Sequence, residues 1–267
     1  MRGYSKKIFI LTIILIFGIV CLTGCGKEEV GDSFAEIKDR GYIVMGLDDA
    51  FAPMGFRDEK NELAGFDVDL AKAVFEKAGL ELKLQPIDWT MKETELNSGN
   101  IDIIWNGYTI TPERQEKVAF TKPYLENKQI IVTLVDSPIN TKQDLIGKKV
   151  ALQSESSAID AINTEPELVE QFDGGEPIQF DTNNEVFMDL EAGRVDAVVI
   201  DEVFAMYYIK IKGPEKYKVL EEDFGDEQYG IGVRKEDVKL LNLIDSTLDE
   251  MREDGSFKEI YDSWFAD

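Results

Sequence analysis

One pattern occurs twice in this sequence, and that repetition constrains the fold more than any other feature. Leu96-Asn97-Ser98-Gly99-Asn100-Ile101-Asp102-Ile103-Ile104 and Leu190-Glu191-Ala192-Gly193-Arg194-Val195-Asp196-Ala197-Val198 share the form L-x-x-G-x-[IV]-D-x-[IV]. Each copy reads as a helix end, a glycine cap and a short buried strand. A looser echo relates Gly41 to Leu47 (GYIVMGL) to Gly147 to Gln153 (GKKVALQ). Two similar lobes are the economical explanation, and 267 residues, read at one domain per ~150, suggest two folding units at most, or one α/β domain with a divided core.

Strand-like and helix-like segments alternate along the chain. Tyr42 to Leu47 predicts a short apolar strand, Phe66 to Ala78 places Leu70, Val74, Phe75 and Ala78 on one helical face, and Leu80 to Ile87 alternates as a strand. Such βαβ alternation predicts an α/β fold, each lobe a parallel or mixed sheet covered by helices. The predicted strands turn polar at Leu47-Asp48-Asp49, Trp105-Asn106-Gly107, Leu152-Gln153-Ser154 and Ile200-Asp201. Open α/β sheets bind ligands outside the carboxyl ends of their strands, so two facing lobes would bring these four ends to one cleft sized for a small polar ligand.

Charge and composition narrow the partners. With 53 Asp+Glu against 29 Lys+Arg, the net charge of −24 repels a phosphate backbone and argues against nucleic acid. Histidine is absent, which removes the usual general base, the triad imidazole and the commonest transition-metal ligand. No G-x-x-x-x-G-K-[ST] loop occurs, so ATP hydrolysis must reside in another polypeptide, and no G-x-G-x-x-G follows a strand. Asp67 and Asp69 lack the spacing of a calcium loop and read as helix caps. No cofactor, metal site or catalytic residue is expected.

The amino end reads as a targeting segment. Arg2, Lys6 and Lys7 precede the apolar run Ile8 to Val20, which is short for a bilayer span and has the charge order of a secretory signal peptide. The run leads into Leu22-Thr23-Gly24-Cys25, which resembles the lipobox of bacterial lipoproteins; the alternative is an ordinary signal peptide cut near Gly24, with Cys25 incidental. The lipobox resemblance implies a signal peptide over 1–24, lipid on Cys25, and a polar tether that completes 25–33. Cys21 would leave with the signal, so no thiol remains for a disulfide, a metal or a nucleophile. Each buried CH₂ of an acyl chain contributes ~0.8 kcal/mol, so two or more chains hold a protein at a membrane surface. The expected location is extracytoplasmic, lipid-anchored to the cell membrane.

Gly65-Phe66-Asp67-Val68-Asp69-Leu70, Thr109-Ile110-Thr111-Pro112-Glu113-Arg114, Phe120-Thr121-Lys122-Pro123-Tyr124 and the ending Gly255 to Phe265 (GSFKEIYDSWF) resemble the polar amino-acid-binding family of solute-binding proteins. The resemblance runs from about Phe34 to Phe265. It implies a receptor of an ABC importer, not an enzyme, with two α/β lobes joined by two crossing strands in the manner of type II periplasmic binding proteins. Lobe one would comprise 34–124 plus 228–267 and lobe two 125–227, with hinge strands near Tyr124 to Lys128 and Gly225 to Tyr229. The expected assembly is a monomer that hands a polar L-amino acid to an ABC permease with its ATPase subunits. The family's binding residues carry over to Asp48, Phe51, Trp89, Gly107, Thr109, Arg114, Asp201 and, within the stretch Gln153 to Ser157, to Gln153, Ser154 and Ser157. The chain departs from the family at Ser154-Glu155-Ser156-Ser157, where relatives often carry glycine or threonine, and at Phe75, where a small residue is usual.

The same residues can be read without the family. A buried zwitterion needs fixed partners of both signs, and Arg114 with Asp201 supplies one of each. Arginine holds a carboxylate bidentately; Thr111 as N-cap and Pro112 at the first helical position would put Arg114 in the first turn, where the dipole also favours an anion. The competing readings are a surface arginine paired with Glu113 or Glu116, Asp201 as a simple N-cap, Asp48-Asp49 as a solvated turn, and Phe51 and Trp89 as core aromatics. Asp48 suits a cationic ligand (Arg, Lys or His), whereas Gln153 and Ser154 suit glutamine or another neutral polar side chain. Two rival functions share the scaffold: a prephenate or arogenate dehydratase, for which Glu155 is the one suggestive acid, and an extracellular sensor domain, less expected because no second membrane segment or signalling module follows.

Overall fold

The computed structural model describes residues 31–266. The apolar run Ile8 to Val20, the Leu22-Thr23-Gly24-Cys25 junction and most of the tether lie outside the described residues. The chain opens with helix α1 (Phe34–Arg40) and strands β1 (Tyr42–Leu47), β2 (Ala50–Phe51), β3 (Gly55–Arg57) and β4 (Leu63–Ala64). Helix α2 (Phe66–Ala78), β5 (Glu81–Pro86), α3 (Lys92–Asn97), β6 (Ile103–Ile104), α4 (Pro112–Lys117) and β7 (Ala119–Phe120) follow. After the long strand β8 (Leu125–Leu134) come β9 (Val150–Gln153), α5 (Ser157–Ile162), α6 (Pro166–Val169), β10 (Ile178–Phe180), α7 (Asn183–Glu191), β11 (Ala197–Asp201) and α8 (Glu202–Lys212). The second long strand β12 (Tyr217–Tyr229) leads to β13 (Gly232–Val233), α9 (Val238–Asp254) and α10 (Ser256–Phe265).

Two five-stranded sheets form, ordered β5-β1-β6-β13-β7 and β10-β9-β11-β8-β12. In both, the first three strands run parallel and the next joins antiparallel. The sheets are therefore equivalent, with β1 matching β9 and β6 matching β11. The two sequence echoes fall on these strands. Gly99 (φ 81°) and Gly193 (φ 65°) take the left-handed conformation that stops a helix without a Cβ penalty. Asn100 N–H then donates to Glu95 O at 3.0 Å, and Arg194 N–H to Asp189 O at 2.9 Å.

The aspartate of each echo closes a reciprocal clasp on the neighbouring parallel strand. Asp102 donates its N–H to Val44 O at 2.8 Å and accepts Val44 N–H on Oδ2 at 2.7 Å. Asp196 does the same with Lys149, both bonds being 2.8 Å. The strand that follows is buried along its length, β11 on both faces, as a continuous Val/Ile run requires.

Strands β8 and β12 pair antiparallel from Leu134↔Tyr217 to Leu125↔Tyr229, and their far ends run into the first sheet's lobe, where Tyr124 N–H donates to Tyr229 O at 2.9 Å. Asp32 and Ser33, expected in the tether, are instead held to lobe one: Asp237 Oδ1 accepts Ser33 N–H at 2.7 Å and Asp32 Oδ2 accepts Lys239 N–H at 3.1 Å. No helix among the described residues is long and apolar enough to cross a membrane.

The two clasps predict unequal costs. Asp102 is buried and pairs with the buried Arg234 at 3.3 Å, whereas Asp196 is exposed and has no such cation. Asp102→Ala should lose about 1–3 kcal/mol for each of the two buried donors it strands, Val44 N–H and one Arg234 N–H, while Asp237 still pairs with that guanidinium. Asp196→Ala should lose about 1 kcal/mol, the worth of a single solvated hydrogen bond. Urea denaturation of both variants measures the difference.

Candidate functional site

The four polar strand ends meet between the lobes around a cavity of about 280 Å³. Asp48 follows β1, Asn106 and Gly107 follow β6, Gln153 ends β9 and Asp201 ends β11; Phe51, Trp89, Arg114, Ser156 and Ser157 complete the lining. Of the residues expected in the site, Thr109 and Ser154 do not line the cavity. Thr109 stands behind it, its hydroxyl 3.1 Å from Ser157 Oγ. Ser154 instead donates its N–H to Phe180 O at 2.8 Å, and Ser156 reaches the cavity in its place.

Arg114 is 6% exposed and is not a surface arginine. Thr111 caps α4, accepting Arg114 N–H at 3.2 Å, and Pro112 occupies the first helical position. The guanidinium donates from Nη1 to Thr109 O at 3.0 Å and from Nη2 to Glu155 O at 3.1 Å, over the Tyr108 ring. Glu113 pairs with Lys117 instead. Lys92, which the sequence did not single out, donates to Trp89 O at 3.2 Å and to the same Glu155 O at 3.1 Å. Burial, with Arg114 beside it, lowers the Lys92 ammonium to about 8. Glu155 has φ 54°, a left-handed conformation that favours glycine. Here that turn presents one lobe-two carbonyl to two lobe-one cations.

Gln153 is fixed at both ends of its amide. Its Oε1 accepts from Asn183 Nδ2 at 2.9 Å, which leaves Nε2 to donate to Asp48 Oδ2 at 3.0 Å and to Asp181 O at 2.9 Å. Asp48 also accepts Ala50 N–H at 2.9 Å, so the turn and the cleft readings coexist. Burial raises its pKa, with Gln153 and Ala50 pulling back, and no cation contributes. Phe51 and Trp89 likewise serve two roles, lining the cavity while packing on Phe204 and Tyr108 at ring separations of 5.4 and 5.7 Å.

Asp201 precedes α8 but makes no side-chain cap, contrary to the simplest expectation. Its Oδ1 instead accepts from Tyr229 OH at 2.6 Å and Asn127 Nδ2 at 2.7 Å. Burial, then the neighbouring Glu227 carboxylate, pushes Asp201 up to about 7. Asp67 and Asp69 are not caps either. Asp67 accepts Gly107 N–H at 2.7 Å and Tyr124 OH at 2.8 Å beneath the cavity, and Asp69 meets Lys72 and Trp264. Gly107 has φ 57°, and a Cβ there would come within 2.8 Å of Phe51. Asn106 is a buried lining residue, and neither its Nδ2 nor its Oδ1 has a partner among the described residues. Asn106 stood at a strand end that the sequence had marked as polar; Lys92, Asn127 and Glu227 carried no local signal. Among the described residues no group of three or more Asp, Glu, Cys or His side chains is placed to hold a metal ion.

Residues 43–267 match the bacterial extracellular solute-binding proteins, family 3. The chain belongs to this family. It is 30% identical to the L-cystine-binding protein TcyJ of Escherichia coli (strain K12) over 255 residues, covering 94% of this chain and 93% of that protein. It is 32% identical to the ABC transporter glutamine-binding protein GlnH of Bacillus subtilis (strain 168) over 277 residues, covering 98% of each. The crystal structure of an ABC uptake transporter substrate-binding protein from Streptococcus pneumoniae with bound histidine is 41% identical, with a TM-score of 0.86 over 89% of this chain and 97% of that one. Family members are two-lobed extracytoplasmic binding proteins of the type II α/β architecture, which the two equivalent sheets reproduce here.

The Asp67 carboxyl makes a prediction about stability. Burial pushes it from 3.8 to about 7 against its donors Gly107 and Tyr124. The folded protein then binds this proton more tightly than the unfolded chain, so the contribution of Asp67 to stability falls as pH rises from about 4 to 7 and is level above. The slope is at most about 1.4 kcal/mol per pH unit. Asp67→Asn keeps an acceptor for Gly107 and Tyr124 and removes the titration; urea midpoints at pH 5 and 7 should converge in the variant relative to the wild type.

Proposed function

We propose that this chain is the substrate-binding protein of an ABC importer, lipid-anchored through Cys25 outside the cell membrane, which captures one polar L-amino acid between its lobes. The observation that carries this reading is the cavity itself, where Arg114 from lobe one and Asp201 from lobe two present opposite charges across a small polar space. A zwitterion supplies both counter-charges, its carboxylate to the guanidinium and its ammonium to the aspartate. Ser157 would line the carboxylate end, with Thr109 behind it, and Phe51 and Trp89 would flank the aliphatic part. Residues 34–124 plus 228–267 act as lobe one and 125–227 as lobe two, hinged where Leu125–Lys128 pairs with Asp226–Tyr229. Because the ligand gains contacts from both lobes only when they meet, binding shifts the population toward the closed arrangement that the permease recognises.

A third charge points to the side chain. Asp48 lines the cavity and forms no salt bridge among the described residues, so a cationic side chain such as that of arginine or histidine would compensate a buried carboxylate. The histidine bound by the Streptococcus pneumoniae relative agrees with this choice. A glutamine-like ligand is the second reading, favoured by the unpartnered donor and acceptor of Asn106 among the described residues. The dehydratase alternative loses its acid, because Glu155 is exposed, lies outside the lining and uses its carbonyl to meet Arg114 and Lys92.

A thermal-shift screen against the twenty amino acids and cystine tests the ligand class, since a ligand at 100 times its Kd stabilises by ~2.7 kcal/mol. Arg114→Ala should weaken the best ligand by about 150-fold or more, the consequence of losing one side of a buried ion pair worth roughly 3 to 5 kcal/mol. Arg114→Lys should recover only part of the loss, because an ammonium lacks the bidentate fork. Calorimetric titration measures both, and a folded Arg114→Ala protein within about threefold of wild type would sink the assignment. Cys25→Ser should release the protein from washed membranes; equal retention of variant and wild type would count against lipidation.

A further inference from the structure

Behind Asp201 lies a second carboxylate that the cavity lining does not include. Glu227, on β12, gathers four donors on Oε2: Thr109 Oγ1 at 3.0 Å from lobe one, Asn127 Nδ2 and Gln129 Nε2 at 3.1 Å from β8, and Ser157 Oγ at 3.2 Å from α5. One oxygen thus ties the two lobes and the hinge strands together. The Asn127 amide nitrogen also reaches Asp201 Oδ1 at 2.7 Å, so a single NH₂ group bridges the two acids. Asp201 is buried and Glu227 half-buried, and two carboxylates that share a donor there cannot both carry charge cheaply.

We propose that Glu227 is a positioning residue for the ligand's ammonium: it keeps a proton on Asp201, and the arriving ammonium displaces that proton to solvent. The exchange rests on the amino-acid-binding reading above. It balances simply, one positive charge entering the acid pair as one proton leaves it, with no bond other than O–H broken. The other groups facing Asp201 leave this role to Glu227. Tyr229 donates to Asp201, Arg114 lies farther off and favours the ionised form, Asn127 and Gln129 are neutral, and Lys128 is paired with Glu202 at 3.4 Å. The positions agree with an Asp201 held up to about 7 by burial and then by Glu227.

Affinity should fall as the pH is lowered from 8 to 6, by at most about tenfold per pH unit, with proton release on binding in the acidic half of the range. L-arginine and L-glutamine are suitable probes, since neither side chain titrates there. Calorimetry of the tighter binder in buffers of different ionisation enthalpy counts the protons. Carbon NMR of the Asp201 carboxyl follows the same titration with no ligand present. Glu227→Gln keeps an acceptor for the four donors and removes the charge. It should lower the Asp201 midpoint, cut the proton release at pH 6.5 and lose most of the pH dependence of affinity, while leaving Asp67 unmoved. Glu227→Met should act in the same direction should the amide disturb folding, and Tyr229→Phe, which removes a donor from Asp201, should move the midpoint upward. An Asp201 titration unchanged in both Glu227 variants overturns the proposal, as does a shifted titration with no proton release on binding. If neither binds, the tightest ligand of the thermal-shift screen with no side chain titrating in this range takes their place; a wild type that binds no amino acid or cystine would sink the functional reading and the exchange with it, and is told apart because the Asp201 titration needs no ligand.

Discussion

The antiparallel pairing of β8 with β12 holds the site together. These strands are separated by some eighty residues of lobe-two chain, yet they pair through Leu125↔Tyr229, Glu126↔Gln228, Asn127↔Glu227 and Lys128↔Asp226 at the point where the chain passes between lobes. Register shifts between Val219 and Asp223 and between Asp223 and Asp226 bend β12 locally. The pairing sets Asn127, Gln129, Glu227 and Tyr229 beneath the carboxyl end of β11, so the strands that join the lobes also furnish the surroundings of Asp201. Closure and charge state are therefore set by the same few side chains.

Charge placement gives the cleft its chemistry. Asp48 and Asp201 line the same small cavity as Arg114, where each uncompensated charge costs more than on the surface. The protein meets part of that cost with fixed dipoles: the Gln153 amide, held by Asn183, turns its NH₂ to Asp48, and the Glu155 carbonyl turns toward two cations. Such an arrangement is less stable than an apolar packing of the same space, and it is retained where a ligand's own charges complete it. The raised carboxyls of Asp67 and Asp201 are two expressions of that tension.

The surface-arginine, helix-cap and solvated-turn readings failed or survived for reasons that depend on partners. Arg114 is local in origin, placed by Thr111 and Pro112, but its burial depends on Tyr108 beneath it and Glu155 from the other lobe. Asp201 begins a helix without capping it because Tyr229 and Asn127 claim its oxygen. Asp48 keeps its turn bond to Ala50 while its second oxygen meets Gln153 across the cleft.

Local patterns determined much of this protein. The duplicated L-x-x-G-x-[IV]-D-x-[IV] units announced two equivalent lobes, because a helix stop, a left-handed glycine and a buried parallel strand are each written in neighbouring residues. The polar ends of β1, β6, β9 and β11 marked the cavity for the same reason. Only the tertiary structure decided which polar residues act on one another. Glu227 sits in an acidic stretch that reads as solvated surface, Lys92 in an exposed-looking helix start, and Asp67 at a helix N-terminus, where a cap is the simplest expectation. Their roles come from contacts with residues far away in the chain, Thr109, Glu155 and Gly107, and burial and shared donors are properties of those contacts rather than of any local spacing.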